Sequence, residues 1–104
     1  MSGDNADFQE GVIAEIEEEI TEPPPYKVLL HNDDYTPREF VVGILMAFFD
    51  MAVDEATRLM WFVHSNGIGE CGTYTYEVAE TKVHQVTQAA RENGFPLKTS
   101  LEPQ

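Results

Sequence analysis

His31-Asn32-Asp33-Asp34 sets an imidazole, an amide and two carboxylates in four consecutive positions, and His64 supplies a second imidazole farther along the chain. Such groups could hold a cation through oxygen and nitrogen, or exchange a proton between Asp33 and His64. They could accept hydrogen bonds from a cationic ligand, or simply turn the chain, because Asn and Asp side chains bond their own backbone. Spacing narrows the choice. No HExxH, EF-hand loop or cysteine pair supports a metal. Cys71 and the serines lack a nucleophile elbow or triad context, and Gly67-Ile68-Gly69 is too sparse for a phosphate loop. A turn explains Asn32 and one Asp but not the whole pattern.

These groups are positioned by recognisable elements. Tyr26 to His31 reads as a strand that runs into the acidic corner. Thr36-Pro37-Arg38-Glu39 predicts a helix start, with Thr36 as N-cap, Pro37 first in the helix and Glu39 three residues after the cap. Phe40, Val41, Ile44, Leu45, Phe48 and Phe49 follow at helical spacing to about Asp50. A second helix, Val53 to Asn66, buries Ala56, Leu59, Met60 and Val63 and stops at Gly67. A strand around Glu70 to Tyr74 comes next. A third helix opens at Thr75 or Tyr76, turns Val78, Thr81, Val83, Val86 and Ala90 inward, and stops at Gly94. Pro96 to Leu101 forms the last strand. The order βααβαβ predicts an α+β fold, a small antiparallel three-stranded sheet packed against three helices.

Length, at 104 residues, allows one domain, and 42% apolar residues can fill one modest core. A net charge of −13 excludes phosphate backbones and anionic membrane surfaces as partners. It favours a protein, or a ligand carrying a cationic group. A single cysteine, Cys71, allows no internal disulfide and fits a reducing compartment. No apolar stretch is long enough for a membrane span or a signal core, and the acidic N-terminus is the reverse of a transit peptide. Bacterial cytoplasm is the expected home, and a monomer the expected state. Residues 1–25 hold eight Asp or Glu and no Lys or Arg. They read as a disordered acidic extension ending in the stiff Pro23 to Pro25 spacer, ahead of a core domain at 26–104. Val12, Ile13, Ile16 and Ile20 have helical spacing, so part of this tail can fold on a partner.

"YKVLLHNDDYTPREFVVGIL", "ATRLMWFVHSNGIGECGTYT", "YEVAETKVHQV" and "ARENGFPL" together resemble the successive signature blocks of the ClpS adaptor proteins. The resemblance implies a protein without enzymatic activity or cofactor. It would recognise N-degrons, substrates with a bulky hydrophobic first residue (Phe, Trp, Tyr or Leu), and deliver them to a ClpA-type AAA+ unfoldase and its peptidase. It implies that Asn32, Asp33 and His64 accept hydrogen bonds from the free α-amino group. Leu30, Thr36, Val41, Met60, Val63 and Leu97 would wall the first side chain. Tyr35, Glu77 and Lys82 would meet the unfoldase. On the residues alone, a ribosome-associated interaction module or a small Asp/His enzyme stays open as an alternative.

One position departs from the common family pattern "NDDYTPMEF", which has Met where this chain has Arg38. A cation near a helix N-terminus opposes the helix dipole, and no compensation shows in the sequence. The family's methionine rims the pocket, so the resemblance implies that Arg38 stands there, where its guanidinium is expected to favour flat aromatic first residues over Leu.

Overall fold

The computed structural model describes residues 23–104. Most of the acidic extension therefore lies outside the described residues; Pro23, Pro24 and Pro25 are exposed and irregular. The elements follow as β1 (Tyr26–His31), α1 (Arg38–Phe49), α2 (Val53–Asn66), β2 (Ile68–Tyr74), α3 (Tyr76–Glu92) and β3 (Lys98–Pro103). This is the expected βααβαβ order. All pairing is antiparallel and β1 lies in the middle, with strand order β2-β1-β3.

The central place of β1 follows from its sequence. Val28 and Leu30 point to the helical side and are fully buried, while Leu29 and Lys27 take the other face. Leu45 of α1, Ala56 of α2, and Ala79 and Val86 of α3 close over them with essentially no exposed surface. Burying a side chain such as Leu30 or Leu45 contributes roughly 1.5–3 kcal/mol. β2 carries one extra residue, Cys71, opposite the Val28–Leu29 step. The bulge helps turn the Cys71 thiol into the core.

Three expectations need correcting. Thr36 is not the N-cap of α1. Pro37, with extended backbone, takes that position, and its carbonyl accepts from Phe40 and Val41. The hydroxyl of Thr36 is engaged elsewhere, by Asp33, and Arg38 becomes the first helical residue. On α3 the inward stripe is Ala79, Val83, Val86 and Ala90, whereas Val78 and Thr81 face out. Ala79, a small residue, is fully buried in their place, while Val83, Val86 and Ala90 keep the expected face. The last strand begins at Lys98 rather than Pro96, because Pro96 has no N–H for the ladder.

The ends of α1 and α2 differ in how they stop. α2 ends on Gly67 at φ 86°, whose N–H bonds the Val63 carbonyl at 2.8 Å. α1 ends on a non-glycine, Asp50, at φ 54°. Lys82 of α3 reaches across to give its ammonium to the Phe48 carbonyl at 2.6 Å, over the rings of Phe49 and Tyr74. A carbonyl left over at a helix C-terminus thereby gains a charged donor.

Candidate functional site

The acidic corner is held to α2 by its own backbone. Asn32 donates its N–H to the Gly67 carbonyl at 2.9 Å, just past the last turn that carries His64. The left-handed Gly67 is what turns that carbonyl back toward β1. Asn32 and His64, from separate elements nearly a third of the chain apart in sequence, thus come to one mouth.

Asp33 makes the turn that the sequence suggested. Its Oδ1 accepts from the backbone N–H of Tyr35 at 2.9 Å and of Thr36 at 2.7 Å. The Thr36 hydroxyl is shared between Oδ1 at 2.9 Å and Oδ2 at 2.7 Å. The carboxylate is therefore fixed in place, and Oδ2, with one protein donor, has acceptor capacity left over. Holding a side chain in one orientation before a ligand arrives lowers the entropic cost of binding.

Beneath this mouth lies a cleft of about 500 Å³. Leu30, Val41, Met60, Val63 and Leu97 are its buried apolar walls. Half-buried Asp33 and Thr36, together with exposed Asn32, Arg38 and His64, edge it. All ten residues assigned from the sequence to the amine site and side-chain pocket thus line one space. Gly69 of β2 matters here, since a Cβ on it would lie 2.7 Å from Val63 Cγ2. Only glycine lets β2 approach α2 this closely while Val63 keeps its place in the wall. Asp33, Asp34 and Glu39 bring three carboxylates to the cleft against the single guanidinium of Arg38. The field therefore favours a cation.

The three residues assigned to partner docking are less alike. Tyr35 is 80% exposed beside the cleft, and Glu77 is exposed on the first turn of α3 beside Tyr26 and Tyr76. Lys82 would have passed as free surface; it is half-buried, and its ammonium is committed to Phe48.

One residue behind the mouth escaped the sequence reading. Trp61, 46% exposed on α2, lies under the Arg38 guanidinium at 4.7 Å and edge-on to the His64 ring at 5.7 Å. Its only signal was position, next to Met60 and three residues before His64. The indole is the compensation for Arg38 that the sequence did not display.

Chemistry of other kinds finds little support. Among the described residues no three His, Cys, Asp or Glu side chains gather to hold a metal ion. Burial, and then the neighbouring Glu70 carboxylate, push the Cys71 thiol up to about 12, so it is a core group and not a nucleophile. No helix among the described residues is long and apolar enough to cross a membrane.

A cleft that is apolar inside and acidic at the mouth is suited to bind a ligand with an apolar body and a cationic end. Comparison with known proteins gives the family. Residues 21–100 match the model of the ATP-dependent Clp protease adaptor protein ClpS. The chain belongs to this family, which is one of adaptors and not enzymes. The ClpS adapter of Nitratidesulfovibrio vulgaris is 59% identical over 87 residues, 84% of this chain and 87% of that protein. That of Zymomonas mobilis is 50% identical over 105 residues, 98% of each chain. Among solved structures, Agrobacterium tumefaciens ClpS2 bound to L-phenylalaninamide superimposes with a TM-score of 0.77 at 44% identity, covering 79% of this chain and 99% of that one.

Proposed function

We propose that the cleft captures the N-terminus of N-degron proteins, taking the free α-amino group at the mouth and a bulky hydrophobic first side chain inside. The observation that carries this reading is the meeting of an acidic, acceptor-rich rim with an apolar interior in one space. An α-ammonium is a cation with three donors in tetrahedral array, and burying it without acceptors costs several kcal/mol. Asn32, Asp33 and His64 are the acceptors, and Asp33 also balances the charge. Leu30, Thr36, Val41, Met60, Val63 and Leu97 enclose Phe, Trp, Tyr or Leu, with Arg38 at the rim. The ligand of the Agrobacterium relative, an amine-bearing phenylalanine derivative, fits this division.

In this reading the core domain at 26–104 recognises the substrate. Tyr35, Glu77 and Lys82 belong to the surface that meets a ClpA-type unfoldase, and the acidic extension of residues 1–25 serves delivery. The setting is the cytoplasm. A peptide panel that varies only the first residue and the amine tests recognition. Free-amine peptides starting with Phe, Trp, Tyr or Leu should bind and their N-acetylated forms should not. Equal affinity for both forms would end the proposal.

A further inference from the structure

We infer that Trp61 is a positioning residue that sets which first side chains the cleft accepts, acting through Arg38. The inference deepens the N-degron reading and rests on it. Two residues that edge the cleft meet the indole, His64 edge-on and Arg38 over its face, and Arg38 is the one of the two assigned to the side-chain pocket. Trp61 itself does not line the cleft. It stands behind Arg38 on the neighbouring helix, one position from the wall residue Met60 and three from His64.

The physical sense lies in what an arginine does without such a partner. Arg38 opens α1, is exposed, and has the helix dipole against it. A free arginine side chain would spread over many rotamers and leave the mouth open. Resting on the indole, the planar guanidinium becomes a fixed part of the rim. A fixed, flat, cationic rim favours a planar aromatic side chain entering beneath it, whose ring can meet the guanidinium. Leu offers no π face and gains nothing from it. The sequence explained Arg38 by stacking on the ligand alone. The structure adds a second aromatic on the protein side, which holds the guanidinium ready.

The experiment measures affinities for peptides that differ only in Phe or Leu as first residue, each free and N-acetylated, by fluorescence anisotropy. The proteins are the full chain, Trp61→Leu, Trp61→Phe, Arg38→Met and the double variant. The full chain should prefer Phe over Leu several-fold. Trp61→Leu should remove most of that preference while free and acetylated amines remain distinguished. Trp61→Phe, which keeps a ring face for the guanidinium, should restore most of it. In the Arg38→Met background, Trp61→Leu should change the ratio no further. An unchanged ratio in Trp61→Leu, or the same change with and without Arg38, overturns the inference while the N-degron reading stands. If the full chain binds free and acetylated peptides alike, the functional reading fails and takes the inference with it.

Discussion

Asp33 holds the turn and, in the proposed function, meets the amine, and a well-chosen pair of substitutions can separate the two. Its Oδ1 fixes the turn through Tyr35 and Thr36, and Oδ2 is available to an ammonium. Asp33→Asn keeps an oxygen for the two backbone donors, and the Thr36 hydroxyl can turn to accept from the new amide. The turn survives and the charge goes. Two unit charges about 4 Å apart interact by about 4 kcal/mol at an effective dielectric of 20. Asp33 is only half-buried, so solvent screening reduces this to about 1–2 kcal/mol. Losing one charged hydrogen bond, which overlaps that figure, brings the total to about 2–3 kcal/mol. The affinity for a free-amine Phe peptide should thus fall by about 30- to 150-fold, with unfolding free energy nearly unchanged. Asp33→Ala should show the same binding loss and also lower stability by about 1–3 kcal/mol, since the turn N–H groups lose their acceptor. Calorimetric titration and denaturant melts of both variants decide the matter. Wild-type affinity in Asp33→Asn would show that the carboxylate only shapes the corner and does not meet the amine.

Other outcomes follow from the same geometry. Lys82→Met, which keeps the stem and removes the ammonium from the Phe48 carbonyl, should cost about 1–3 kcal/mol of stability in denaturant melts, whatever its effect on unfoldase docking. Because Cys71 titrates at about 12 in the fold and at 9.0 ordinarily, the unfolded chain loses this proton first. Stability should therefore decline as pH rises above about 9, and at pH about 8 thiol-labelling reagents should react only as fast as the core opens. His64→Phe, which keeps a ring and removes the acceptor nitrogen, should weaken the binding of free-amine peptides several-fold. Unchanged affinity in that variant would remove His64 from the amine site. Deleting residues 1–22 should leave peptide affinity intact and impair degradation of an N-degron substrate by the unfoldase and peptidase; full delivery would reduce the extension to a solubility device.

The elements were legible where local chemistry decides them. Gly67 stops α2, Gly94 follows α3, and the apolar spacing of α1 marks its buried face. Thr36 was misread because a Thr-Pro-x-Glu pattern fits a capping box, while a carboxylate three residues upstream competes for the same hydroxyl. The ten cleft residues were legible through a motif pattern, not through periodicity. Periodicity alone makes Val41, Met60 and Val63 ordinary core. Lys82 on Phe48, 34 residues away, and Arg38 over Trp61 were out of reach. Both depend on where two helices come to lie side by side, which no window of sequence contains.

The middle position of β1 has a kinetic meaning. Alternate amides of β1 bond to β2 and to β3, and the side chains of Val28 and Leu30 are fully buried under the helices, so the strand presents no edge from which to fray. The acidic corner is the direct continuation of that strand, and its Asn32 N–H is tied to the end of α2. Deuterium should therefore enter Val28 and Leu30 at the rate of global opening. A bound peptide should slow that entry by the factor one plus its concentration over Kd. A ligand that touches only the end of the strand would then be recorded along its length, and exchange at β1 would report occupancy without any label on the peptide.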